Sequence, residues 1–242
     1  SYGSRFIRYN YEKSEVGGLP GDNIKMLYRD RSDQVWLGHY PSGISFLDRY
    51  ASRIRGFRHP NTISQDLNQG QNQGESQNQS TDQNQSTNLN GLNHSSVLSV
   101  AQSADGGLWV GSENGFNFIT PSGKVTQSYQ HDHGQARLSA NAVLSILEDR
   151  RGNIWAGTWR GGLNKLAKGA QEFSVYLPNK DDEHSLIDGE VWSLYEDRQG
   201  SIWVGTWDYG LHQYRPVSDD FLRFDLMRVG PGGRTDRAFK LF

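Results

Sequence analysis

The sequence predicts an all-β chain built from four copies of one unit. Three observations predict it. Nearly the same string of residues runs from Asp22 to Leu47, His94 to Ile119, Asn141 to Leu166 and Gly189 to Tyr214. Its tryptophans, Trp36, Trp109, Trp155 and Trp203, are spaced by 73, 46 and 48 residues. Glycine is abundant, 28 in 242 residues, as a chain that turns every few residues requires. A period in the forties with several short strands per unit is the signature of a propeller blade. One blade cannot bury both faces of its sheet, so the units must stack on one another.

The third unit shows each element. Ala142 to Glu148 is a β-rich run, expected as the innermost strand. Asp149 to Gly152 is a turn that places glycine where positive φ is needed. Asn153 to Gly157 is the second strand, with Trp155 as the wedge between neighbouring blades. Gly161 and Gly162 bend the chain into a third strand, Leu163 to Leu166, and Glu172 to Leu177 is the outer strand. The fourth unit repeats these steps from Val191 to Leu226. The first unit has no glycine at its first turn, and Asp33 is expected to take the left-handed conformation there. Before it, Arg5 to Tyr9 reads as a stray outer strand.

The expected architecture is a β-propeller region over residues 1–229: an open arc of four four-stranded blades at about 22–60, 94–130, 141–177 and 189–227, cut from a seven-bladed ring. Residues 230–242 form a polar tail that starts no new unit. The stretch 65–90 is almost pure Gln, Asn, Ser, Thr and Gly. Its 26 residues account for the long first spacing, reducing 73 to 47. It carries too little apolar surface to offset its ordering entropy, so disorder is expected.

The 25 Lys and Arg against 27 Asp and Glu give a net charge of −2, which disfavours a broad nucleic-acid footprint. The absence of cysteine excludes disulfides, zinc–thiolate sites and thiol nucleophiles. No run of 18 apolar residues and no leader pattern is visible.

Residues repeated once per blade read as architecture. Residues that differ between equivalent loops are the better site candidates. The loops between second and third strands carry His39 and Tyr40, then Glu113 and Asn114, then Trp159 and Arg160, then Trp207, Asp208 and Tyr209. Aromatic rings beside an arginine and carboxylates suit stacking on a sugar with hydrogen bonds at its edges. The competing reading is that Trp159 and Trp207 pack on the neighbouring blade while Arg160 pairs with Asp208. His131, Asp132 and His133 have the residue types of a divalent-metal site, but no third ligand is fixed by spacing and no metal is expected.

The pattern V-x-S-I-x-E-D-x-x-G-x-I-W-x-G-T-x-x-G-G-L resembles the two-component regulator propeller repeat. Val143 to Asp149, Gly152, Ile154, Trp155, Gly157, Thr158 and Gly161 to Leu163 carry the resemblance, as do Val191 to Asp197, Gly200, Ile202 to Thr206, Gly210 and Leu211. The resemblance implies a non-catalytic, periplasmic sensor region of an inner-membrane receptor. It implies a small-molecule or oligosaccharide ligand and no cofactor. The implied protein partners are further blades, a signalling domain and, in the full receptor, a second copy. The alternatives are an interaction scaffold or a lyase: Asp105 to Trp109 also resembles streptogramin lyase blades, for which His39 and Glu113 are the only candidate catalytic groups.

Overall fold

A computed structural model describes residues 19–48, 53–57, 91–131, 137–208 and 210–224. The stray strand at 5–9, the insertion at 65–90, Asp132, His133, Tyr209 and the tail lie outside the described residues. The chain divides into two units, 1–97 and 98–242.

All sixteen strands fall into four antiparallel four-stranded sheets, each in chain order. The first blade holds β1 (Ile24–Arg29), β2 (Val35–His39), β3 (Gly43–Asp48) and β4 (Arg53–Phe57). The second holds β5 (Val97–Gln102), β6 (Leu108–Ser112), β7 (Gly115–Ile119) and β8 (Val125–Tyr129). The third holds β9 (Val143–Glu148), β10 (Ile154–Thr158), β11 (Leu163–Leu166) and β12 (Phe173–Tyr176). The fourth holds β13 (Val191–Glu196), β14 (Ile202–Thr206), β15 (Leu211–Arg215) and β16 (Asp220–Phe224). This is the predicted all-β blade architecture. The strand bounds differ from the sequence reading by one or two residues. No helix among the described residues is long and apolar enough to cross a membrane.

The aspartate of the first turn does two jobs. Asp149 Oδ1 accepts the N–H groups of Arg151 at 3.0 Å and Asn153 at 2.9 Å, while Oδ2 accepts the Trp155 indole N–H at 2.8 Å. One carboxylate therefore caps the turn and fixes the rotamer of the wedge. Asp197 holds Trp203 in the same way at 2.8 Å, and Asp30 holds Trp36 at 2.9 Å. The indole hydrogen bond is the foremost influence holding Asp197 below the usual carboxylate range. The second blade has Ser103 instead, and Trp109 donates to Glu148 of the next blade at 2.7 Å. Asp33 takes φ 64°, the left-handed conformation that Gly106, Gly152 and Gly200 supply in the other blades.

Within the second unit the blades stack face to face. Trp109, Phe116 and Phe118 bury against Val143, Ile146, Ile154 and Ala156 of the third blade. Trp155 and Leu163 bury against Val191, Ile202, Val204, Tyr214 and Phe221 of the fourth. Trp155 is 1% exposed, so the wedge reading stands for it. A polar seam runs along the inner strands: Ser99 Oγ donates to Val143 O and Ser145 Oγ to Val191 O, both at 3.0 Å. Gly157 leaves room for it, since a Cβ there would run into Ser145 Oγ and Val191.

Candidate ligand-binding face

The loops between second and third strands are tied at their bases by one repeated bond. The first loop residue donates its N–H to the strand leading into its own blade: Tyr40 to Asn23 O at 2.9 Å, Trp159 to Ala142 O at 2.9 Å, Trp207 to Glu190 O at 3.0 Å. The base of the loop is therefore alike in the first, third and fourth blades, while the side chains vary.

In the third and fourth blades these loops meet through a residue that the loop comparison did not single out, Trp192 on β13. Its ring lies 6.0 Å from Trp159, nearly edge-on at 70°, and 4.8 Å from Trp207, tilted by 35°. Such spacings are attractive aromatic packing. Trp159 is 39% exposed. The Trp192 indole N–H is buried and has no hydrogen-bond partner among the described residues. A signal for Trp192 existed in the sequence: its equivalents are Lys25, Leu98 and Leu144, so it too departs from the repeat.

Polar groups ring the cluster. The Arg160 guanidinium lies 5.7 Å from the Trp159 ring centroid, and its Nε is 3.5 Å from Glu190 Oε1. Asp188 accepts the N–H of Glu190 at 3.1 Å and of Asp208 at 3.2 Å. Arg160 takes φ 64°, with its backbone pressed against Gly189, where a Cβ would come within 2.9 Å of the Arg160 carbonyl oxygen. The packing alternative holds in part: Trp159 does reach the next blade, but Arg160 pairs with Glu190. Tyr209 lies outside the described residues.

The other candidates belong to the first two blades. Glu113 and Asn114 occupy the equivalent loop of the second blade, where the Asn114 N–H donates to Ser112 Oγ at 3.2 Å. In the first unit, Tyr40 is exposed with Lys25 Nζ 5.6 Å from its ring centroid. His39 is a correction. It is 0% exposed, with Nδ1 3.0 Å from Gly21 O and Nε2 2.7 Å from Ser45 Oγ. It occupies the buried polar position filled by Ser112, Thr158 and Thr206 in the other blades, so it is architecture rather than ligand contact. Among the described residues no cluster of three His, Asp or Glu is placed to hold a metal ion. His131 spends Nδ1 on Leu138 O at 2.7 Å.

The two-component regulator propeller family matches residues 91–114, 137–160 and 185–208. No curated protein matches the chain. Among solved structures, the extracellular domain assigned to the hybrid two-component system BT3049 of B. thetaiotaomicron is 20% identical, with a TM-score of 0.60, over 94% of this chain and 26% of that one. That of BT4673 from the same organism is 18% identical, with a TM-score of 0.61, over 91% and 26%. Virginiamycin B lyase from Staphylococcus aureus is 12% identical, with a TM-score of 0.56, over 87% and 59%. The chain spans about a quarter of the two extracellular domains. Sixteen strands in four blades, three matched repeats and these likenesses identify it as a stretch of β-propeller in which two-component regulator propeller repeats cover residues 91–114, 137–160 and 185–208.

Proposed function

We propose that this chain is part of the ligand-sensing propeller of a bacterial two-component-type receptor, works outside the cytoplasm and catalyses nothing itself. The reading is supported by the repeat family and by the likeness to extracellular domains of two-component systems. The ligand is a carbohydrate or similar small polyol, held on the Trp159, Trp192 and Trp207 face, with Arg160, Asp188, Glu190 and Asp208 bonding its hydroxyls. The observation that carries this is the aromatic cluster itself: three tryptophans at positions the repeat does not dictate, one of them exposed and one with an N–H that has no partner among the described residues. The lyase alternative is weakened by His39, which is enclosed and bonded through both ring nitrogens.

Calorimetry of the full-length receptor against a panel of neutral oligosaccharides tests the reading. Trp207→Ala and Trp159→Ala are expected to weaken binding by about 1–3 kcal/mol, the worth of a stacking platform and its solvent shield, with the native fold retained. Binding unchanged in both variants removes this face from the site.

A further inference from the structure

The rule that singled out the loops, that chemistry hides where a position departs from its equivalents, also singles out a packing position. Beside the wedge tryptophan, the third strand carries Phe46 in the first blade and Phe118 in the second, packed at a tilt against Trp36 and Trp109 with centroids 4.9 and 4.6 Å apart. In the third blade that residue is Lys165, paired in register with Trp155. Its Nζ lies 5.1 Å from the Trp155 ring centroid and 4.7 Å from that of Tyr214 on the next blade, and donates to Tyr214 Oη at 2.7 Å. Tyr214 is itself a departure, standing where the other blades have Leu47, Ile119 and Leu166. Lysine is slimmer than phenylalanine, and a cavity of about 140 Å³ lies beside it. Asp149, Asn153, Glu196 and Tyr214 line it, with Arg151 among the lining residues and exposed.

Two carboxylates, Asp149 and Glu196, and two cations, Lys165 and Arg151, line the cavity, and both carboxylates already accept hydrogen bonds. Asp149 already receives the N–H groups of Arg151, Asn153 and Trp155 and the Asn153 side-chain amide. Glu196 accepts the Arg150 N–H at 3.0 Å. Asp219, 3.9 Å from Lys165 Nζ, is bonded by the hydroxyls of Tyr176 and Tyr214. The Lys165 ammonium has three protons and, among the described residues, one hydrogen-bond acceptor. We propose that this gap between the third and fourth blades is a second binding site, for the carboxylate of a small organic acid, with Lys165 as its charged anchor. The space matches a group of about six heavy atoms, the size of benzene in a cavity of similar volume. A ligand seated here touches two blades at once.

The test uses the isotope-labelled 242-residue chain, with the Trp155 indole resonance as readout. Acetate is titrated to about 100 mM at constant ionic strength, against acetamide, which has the same shape and no charge. Acetate is expected to shift the resonance saturably and acetamide to leave it still. Lys165→Met keeps the stem and removes the charge, and acetate affinity is expected to fall about tenfold, the worth of a charge-assisted hydrogen bond. Lys165→Phe restores the residue of the first two blades and is expected to fill the gap and abolish the response. No saturable shift with acetate, an equal response to acetamide, or an unchanged affinity in Lys165→Met overturns the proposal.

Discussion

The two blade junctions of the second unit solve one packing problem with different chemistry. Between the second and third blades, Trp109 sits among Phe116, Phe118 and Tyr129, with Phe173 closing the ring system at 6.1 Å from Phe116. Between the third and fourth, Trp155 sits among Lys165, Tyr176 and Tyr214, and those hydroxyls converge on Asp219. Burial, then Asp219 as acceptor, push the Tyr176 phenol well above its usual range. The serine seam is the same at both. What the repeat conserves is the backbone approach and the wedge. The lining around the wedge is open to change, and the second junction has exchanged hydrocarbon for a polar network.

The largest test of that contrast is removal of each wedge. Trp109→Ala and Trp155→Ala should each cost about 3–5 kcal/mol in denaturant unfolding, as truncation of a buried aromatic does. Each loses one indole donor, Trp109 to Glu148 and Trp155 to Asp149, but Trp155→Ala should be the costlier, because it also removes the ring face under Lys165. Equal losses would mean that the polar lining adds nothing to the wedge.

A second test uses pH. His212, on the side of its blade that faces the third, is buried, and its Nε2 accepts the Ile187 N–H at 3.3 Å. Its Nδ1 has no hydrogen bond of good geometry, although the Val204 carbonyl favours the charged form. Burial dominates and lowers its pKa to about 4. At the other junction the equivalent residue is Asn164, whose side chain takes the Ser139 N–H at 2.9 Å and cannot titrate. The unfolded chain protonates His212 below its ordinary value of 6.5 while the folded chain resists until about 4. Stability should therefore fall with pH through that window, by about 3 kcal/mol from this group. His212→Asn should flatten the fall when unfolding is measured between pH 7 and pH 4. A slope that persists in the variant would assign it to other groups.

The smallest effects concern the shared seam. Ser145→Ala and Ser99→Ala should each cost about 1 kcal/mol, the net worth of a buried hydrogen bond. Ser193 is buried at the equivalent position of the fourth blade, and its Oγ has no partner among the described residues. Ser193→Ala in this chain should be neutral or slightly stabilising, read from the thermal midpoint. A loss equal to that of Ser145→Ala would reveal a partner outside the described residues.

Much of this was legible in the sequence because the repeat writes its architecture four times. The first-turn aspartates, the wedge tryptophans and the left-handed Asp33 all follow from position in the unit. His39 misled because its neighbours in the alignment of blades are Ser112, Thr158 and Thr206, small polar residues that do not advertise burial. It filled that same inward position with a larger ring. Trp192 and Lys165 escaped because they sit on strands, where a departure from the repeat looks like ordinary packing variation. Only the three-dimensional neighbours, Trp159 and Trp207 for one and Tyr214 for the other, give those departures a chemical meaning.

The serine seam also has a direction. Ser99 of the second blade and Ser145 of the third each give a hydroxyl proton to a backbone carbonyl of the blade that follows, so at these two junctions the donor side and the acceptor side differ. Any association that copies this seam is therefore heterologous, joining the front of one array to the back of another, and its symmetry is that of a ring or a filament rather than a two-fold pair.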